Sequence, residues 1–532
     1  MSSMNGWKRT HYCAELGKQD EGRTVVLNGW VDSRSCTDGM IHMVIRDRSG
    51  RADVVFDDAP AMEGLRTEEL RPESVVAVKG IPMPADECSG GAFFSHMFIR
   101  ATEIHVFSVS NTPPFNIKDE INARKELRYR YRYLDMRRSP VRDRLILKSR
   151  VLRKLREELD GEGFLEVHTP DKEEQPSLYS ELLMAGGLDR CYEIKSPYAG
   201  EMPSMTVLQL AVSFTDMSYM MELSRKLADT VCSACREKSP ELAFSFMTYD
   251  EALSTYGTGR PDNVFEMKIK DLSEDLAPCG YRVFSDAASR GQSIRGILAK
   301  GVHLSRKELD HLSDEARKEH VYNFQYVSFR EDSVLSSFSR FVREGFLEEL
   351  KQRLGAEDGD CLLIAVDGEE KAGRILGLLR KHLTTMSDRK THETDEAVFI
   401  EKLPLLRKDP GENTHAAYTC MFAEPDSDDP PYLEGDADEL RSRSFELIIN
   451  GRPVMYGSMM SCDPLIQKRM LGKLGFSGEE AWKRHGLLMT ASKYGMPPHA
   501  ILRIDVEGIV SALVGPEETE ELLEFPDDSE VE

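Results

Sequence analysis

The sequence predicts an α+β protein of about three domains: a small closed β-barrel first, then a mixed strand-and-helix core that an inserted domain interrupts. Three observations lead there. Five short strand-like runs crowd in before residue 112, strand patterning resumes near Phe445 after a long stretch with its own pattern, and 532 residues exceed one ordinary domain.

The first strands read as TVVLNGWV, MIHMVIRD and RADVVFDD, with Asp47-Arg48-Ser49-Gly50 as the turn between the last two. SVVAVKGIPM and HMFIRATEIHVFS follow, and five closely spaced strands fit a barrel of the OB type. Residues 1–112 therefore form the barrel domain, and Thr112-Pro113-Pro114-Phe115 breaks the pattern as a linker. Residues 113–140 read as a hinge. Its string RKELRYRYRYLDMRR (Arg124 to Arg138) interleaves arginines with tyrosines. Those arginines either pair with local acids or offer a basic patch to nucleic acid.

From Ser139 to Gly163 the apolar residues Val141, Leu145, Leu152, Leu155 and Leu159 recur at helical spacing. A first core segment spans 141–275, an inserted α/β domain 276–395, and a second core segment 396–516. The last 16 residues, 517–532, hold nine acids and no basic side chain, which predicts a disordered acidic tail.

The formal charge of −23 repels nucleic acid in bulk, so any such contact must come from local basic patches. No run approaches the ~18 apolar residues of a membrane span, and the opening MSSMNGWKRTHY has no apolar stretch of the secretory kind. A cytoplasmic protein without membrane contact is expected. Ten scattered cysteines form no disulfide framework. Cys232 and Cys235 have CxxC spacing inside LADTVCSACREK, which reads as ordinary helix, with a redox or metal role as the alternative.

RYRYLDMRR (Arg130 to Arg138) followed by GFLEVHTP (Gly163 to Pro170) resembles the class II aminoacyl-tRNA synthetases, GFLEVHTP looking like their dimer-interface motif. FMTYDEALSTYGTGRPD, LSRKELDHL, LGAEDGD, LIINGRPVMYGS and KYGMPPH are similar, in that order, to segments of bacterial aspartyl-tRNA synthetases. The similarity runs from about residue 7 to 526. It implies an OB-type anticodon-binding barrel, an antiparallel class II catalytic-type sheet and an inserted GAD-like domain. It implies ATP and magnesium as cofactors, tRNA as partner, and a dimer through the helix after Ser139 and GFLEVHTP. That dimer would be with an identical chain or with an active synthetase, and Phe164 and Val167 are expected at its interface.

The family's catalytic positions are another matter. Its Arg-Asp-Glu triplet falls on Ala199, Gly200 and Glu201, of which only the glutamate is retained. Its PEFTQ-x-D-x-E segment becomes PSMTVLQLA, which puts Val207, Gln209 and Ala211 at the amide and the two acids. Magnesium without acids is not credible. The substrate-lysine position falls on Ser180, and the family's flipping loop is missing after Pro170. The paired glycines become Ala500-Ile501, and Gly-x-Asp-Arg becomes Asp505-Val506-Glu507-Gly508, so a glycine replaces the ATP-binding arginine. The ATP-side glutamate falls on Pro453, Ser-Ile-Arg-Ile-His on Ser458 to Cys462, and paired histidines on Thr419 and Cys420. No catalytic residue, metal site or bound cofactor is read from such a set.

The family's anticodon face is altered too. Its Trp-Val-x-Arg-Arg-Arg run is Trp30 to Ser35 here, its base-stacking aromatic is His42, and a base-reading glutamine is Asp53. Arg34, His42, Arg46 and Arg48 remain as candidate RNA contacts, the alternative for Arg46 and Arg48 being turn-stabilising ion pairs. The resemblance thus implies a catalytically inactive relative with an RNA- or protein-binding role. An active aspartate–tRNA ligase with an atypical site, or an enzyme of changed specificity, is the alternative.

Overall fold

The computed structural model describes the chain except residues 1–3, 5, 38, 58–66, 86–95, 171–176, 197–204, 237–241, 262–266, 331–333, 387–394, 409–414, 427–436, 438, 516–518 and 527–532. The chain divides into two compact units, Met1–Leu145 and Ile146–Pro526.

In the first unit, β1 (Val25–Thr37), β2 (Met40–Arg46), β3 (Arg51–Asp57), β4 (Val75–Pro84) and β5 (Met97–Ser108) close a barrel in the order β1-β2-β3-β5-β4. Alternation turns Leu27, Val31, Met43, Ile45, Val54 and Ile99 inward, all fully buried. Two short helices, Lys125–Arg130 and Arg132–Asp135, follow. Asp135, fully buried, accepts from Arg128 at 3.1 Å, Arg132 at 3.0 Å and Arg138 at 2.6 Å. Burial opposes its ionisation, but the bonds from Arg128 and Arg138 outweigh that and hold its pKa below the ordinary value. Several hinge arginines thus serve a local acid.

The second unit opens with the rest of the helix Ser139–Gly161. Then come β6 (Leu165–Glu166), β7 (Arg190–Lys195), β8 (Val207–Ser213) and β9 (Ala243–Thr248). Five inserted strands follow: β10 (Ile269–Asp271), β11 (Ser293–Ala299), β12 (Asn323–Phe329), β13 (Val334–Ser336) and β14 (Cys361–Asp367). The core resumes with β15 (Glu396–Glu401), the hairpin β16 (Leu406–Lys408) and β17 (His415–Ala417), then β18 (Ser444–Ile449), β19 (Arg452–Met460) and β20 (His499–Asp505). The core sheet has eight strands in the order β6-β7-β8-β20-β19-β18-β15-β9, antiparallel except at its two outer pairs. The inserted sheet, β10-β11-β14-β12-β13, begins before residue 276 because β10 already pairs with β11.

One face of the core sheet is covered by the helices Ser139–Gly161, Met217–Cys235 and Val506–Val514 around Leu155, Leu227, Phe445, Leu502 and Ile509. Cys232 is buried in that layer, so the CxxC pair reads as helix packing. Phe164 is 3% exposed in the same core, and Val167 packs against the core on the opposite face. Phe164 is thus enclosed by the chain's own core, which corrects that expectation for it, while Val167 is half-buried. The exposed apolar side chains of this region are Ile146 and Leu165.

The expected disordered tail is also corrected over residues 519–526, while 517, 518 and 527–532 lie outside the described residues. Thr519–Leu522 forms a helical turn, Leu522 and Leu523 are buried, and Glu524 pairs with Lys148 at 2.9 Å. Two leucines have enough apolar area to dock a segment whose composition is otherwise acidic. No helix among the described residues is long and apolar enough to cross a membrane.

The inserted domain meets the core where Gly257, left-handed at φ 70°, caps the helix Tyr249–Tyr256 and presses on the helix Glu369–Met386. A Cβ at Gly257 would lie 2.0 Å from the Gly373 carbonyl oxygen, and one at Gly377 would lie 2.8 Å from the Gly257 oxygen. Both neighbours are backbone and cannot step aside. Gly257→Ala combines left-handed strain with an overpacked contact and should cost about 2–4 kcal/mol. Urea unfolding of the full chain should show that loss, and an unchanged midpoint would contradict the contact.

Candidate active site

On the second face of the core sheet, cross-strand register builds two rows. Glu193 lies opposite Gln209, Gln209 opposite Arg503, Arg503 opposite Tyr456, and Tyr456 opposite Glu446. Two residues along each strand, on the same face, lie Cys191, Ala211, Ile501, Ser458 and Ser444.

The second row is packed shut. Ala211 is 0% and Ile501 1% exposed, in one apolar cluster with Leu178, Met184, Phe422, Met460, Met470 and Leu488. Cys191 belongs to the same cluster, and burial, then the nearby Glu193, pushes its thiol up to about 11. Cys420 is buried there as well, its sulfur 3.7 Å from that of Met460, and burial raises its pKa too. Val207 is half-buried at the end of β8, between Lys195 and Asp505. Ala199, Gly200 and Glu201 lie outside the described residues.

The first row is polar and bonded mostly to flanking residues, with Gln209 and Arg503 joined within it. The Gln209 amide nitrogen donates to Ser180 Oγ at 2.8 Å, and its oxygen accepts from Arg503 Nε at 2.8 Å. Glu193 accepts from Thr169 Oγ1 at 2.7 Å and pairs with Lys195 at 2.9 Å. Glu446 accepts from Arg260 Nε at 2.8 Å. Among the described residues no group of three or more His, Cys, Asp or Glu side chains is arranged to hold a metal ion. A cleft of about 730 Å³ opens elsewhere, between the helices Tyr249–Tyr256 and Glu369–Met386, and neither row lines it.

Helix Val506–Val514 starts at the family's Gly-x-Asp-Arg position. Asp505 caps it by accepting from the Gly508 backbone N–H at 2.8 Å, and a Cβ at Gly508 would sit 2.3 Å from an Asp505 carboxylate oxygen. Glu507, fully buried, accepts from the Thr206 N–H at 2.7 Å and hydroxyl at 2.8 Å and pairs with Lys148 at 2.8 Å. Breaking such a buried pair by removing one partner typically costs about 3–5 kcal/mol.

In the barrel, His42 and Asp53 are each other's partners, Nε2 to carboxylate oxygen at 3.0 Å. Arg46 is 4% exposed and held by Asp32 at 2.7 Å and by Glu73. Arg48 covers the Tyr12 ring at 4.8 Å, and Arg34 is exposed on β1. Of the four candidates, the structure turns Arg46 inward and leaves Arg34 and Arg48 at the surface.

The family model for class II tRNA synthetases (D, K and N) matches residues 124–171 and 173–529. The chain is 32% identical to the aspartate–tRNA(Asp/Asn) ligase of Caldanaerobacter subterraneus subsp. tengcongensis, over 98% of this chain and 94% of the relative. It belongs to the aspartate–tRNA ligase family of class II synthetases. It is 30% identical to the aspartate–tRNA(Asp/Asn) ligase of Geotalea uraniireducens over the same shares. The fold also matches solved class II structures. Asparaginyl-tRNA synthetase from Pyrococcus horikoshii aligns with a TM-score of 0.58 at 15% identity over 98% of both chains. Aspartyl-tRNA synthetase from Entamoeba histolytica gives 0.59 at 14% identity, over 98% of this chain and 92% of that one.

Against that family frame, sequence reasoning missed Arg503, Glu507 and the pair His499–Glu181. A signal existed: ILRIDVEGIV carries charges inside an apolar run, and a buried charge must find a partner. His499 is 1% and Glu181 2% exposed, with Nε2 and a carboxylate oxygen 3.7 Å apart. Nδ1 faces the Pro497 carbonyl at 3.0 Å and Cys462 Sγ at 3.8 Å. Burial lowers the pKa of His499, but Cys462, Glu181 and the carbonyl together raise it to about 10. A raised histidine stabilises fully below its unfolded pKa of ~6.5 and loses that contribution as pH climbs through its folded value. From pH 7 to 10 the wild-type melting temperature should therefore fall more than that of His499→Asn. Parallel curves over that window would rule out the charged pair.

Proposed function

We propose that this chain is a non-catalytic member of its family, keeping an RNA- or protein-binding role. One observation carries the proposal: the chain's own side chains fill the sheet face where the family's catalytic positions fall. Forming an aminoacyl-adenylate takes cations around a phosphate under attack and acids that hold magnesium. Gln209 and Ala211 stand at two acid positions and Gly508 at the arginine. An amide and a methyl group bring no carboxylate. Of the acids that do lie near, Glu193 and Glu446 are each paired with a cation of the chain, and Glu181 faces the His499 ring at 3.7 Å. These residues do not fit a magnesium–ATP complex. Purified chain free of host synthetase should give no aspartate-dependent ATP–pyrophosphate exchange. Robust exchange would overturn the proposal.

The family supplies the rest of the reading: a cytoplasmic protein, tRNA as the RNA partner, and a dimer. Class II dimers use the helix Ser139–Gly161 and β6, where Ile146 and Leu165 are exposed on this chain at 42% and 54%. A second identical chain or an active synthetase would cover them. In a two-fold contact one change counts twice. Leu165→Glu should convert a dimer to a monomer in light scattering at micromolar concentration while leaving the far-ultraviolet circular dichroism of the folded chain unchanged. A wild-type monomer that forms no complex with an active synthetase would refute it.

A further inference from the structure

The chain carries a formal charge of −23, yet residues Pro464 to Tyr494 hold six Lys/Arg against two acids, a net +4. Two helices, Pro464–Lys473 and Gly478–Ser492, make up this stretch and pack on each other. Their inner residues Met470, Leu471, Ala481 and Leu488 belong to the cluster that fills the sheet face, so the hairpin is anchored. Its outer surface exposes Lys468, Lys483 and Lys493 together with Trp482 at 54% and Tyr494 at 87%. None of those three lysines has an ion pair among the described residues. The Lys493 ammonium stands 5.4 Å from the Trp482 ring centre, and the indole lies along the helix over Gly486, where a Cβ would meet it at 3.2 Å.

We infer that this hairpin docks single-stranded RNA, with Lys468, Lys483 and Lys493 on phosphates and Trp482 and Tyr494 under bases. Cations beside flat, exposed rings form the arrangement that grips a single strand without sequence reading. The charge is the local basic patch that an acidic protein needs before a polyanion can approach. A lipid surface fits less well. An interfacial helix sinks a continuous apolar face, and here Met470, Leu471, Ala481 and Leu488 are spent on the protein core while Leu465 and Leu487 remain exposed. An acidic peptide would use the lysines but leave both rings idle. The inference rests on the RNA-binding half of the proposed role and is independent of whether catalysis survives.

The test is fluorescence anisotropy of the full chain with a labelled oligouridylate, titrated at several salt concentrations. Binding should weaken with salt, and the slope of log K against log salt should fall by about 0.7 for each lysine that ceases to meet a phosphate. Lys483→Gln with Lys493→Gln should show that change. Trp482→Ala should weaken binding roughly tenfold at every salt concentration by removing a stacking platform. All these side chains are exposed, so unfolding midpoints should stay at the wild-type value. Absence of RNA binding, equal binding by the variants, or binding of phosphatidylserine vesicles or polyglutamate in place of RNA would each overturn the inference. Pyrophosphate exchange tests the loss of catalysis separately, so the two can fail independently.

Discussion

A sheet covered on both faces is the constraint from which the rest of the second unit follows. One face of an eight-stranded sheet packing on helices is ordinary. The second stays open to a substrate only if its side chains are small, or polar and left waiting for a ligand. Here Ala211 and Ile501 join a continuous apolar cluster with residues from three helices. A well-packed interior has few voids larger than a water molecule, so closing this face adds stability.

The charges on that face obey the same constraint. A buried acid without a partner is costly, and here Lys195 pairs with Glu193, Arg260 pairs with Glu446, and His499 stands 3.7 Å from Glu181. Here Gln209 completes the pattern by bridging Arg503 and Ser180. That bridge ties two strands, β8 and β20, to the helix Leu178–Ala185.

Most of the architecture could be read in the sequence because it rests on periodicity. The barrel strands are short apolar runs set apart by turn residues, and the helix from Ser139 keeps its apolar stripe, with Val141, Leu155 and Leu159 buried. The altered site positions could be found by counting along retained strings. How those positions are filled could not, because partners such as Gln209 and Arg503 lie 294 residues apart and meet only through strand register. His42 and Asp53 stood out as separate anomalies, and only the barrel geometry makes them one hydrogen bond. The tail misled because its composition averages over Leu522 and Leu523, which decide its fate. The inserted sheet begins with a strand of three residues, too short to show any period.

The cap at Gly508 bears on how this lineage can change. Restoring a long cation there would thrust a side chain into the Asp505 carboxylate that holds the first turn of the helix. Losing a cap of this kind weakens a helix by about 1 kcal/mol. The short backbone hydrogen bond at the head of this helix thus favours glycine at position 508, because any Cβ there must displace the carboxylate that accepts it.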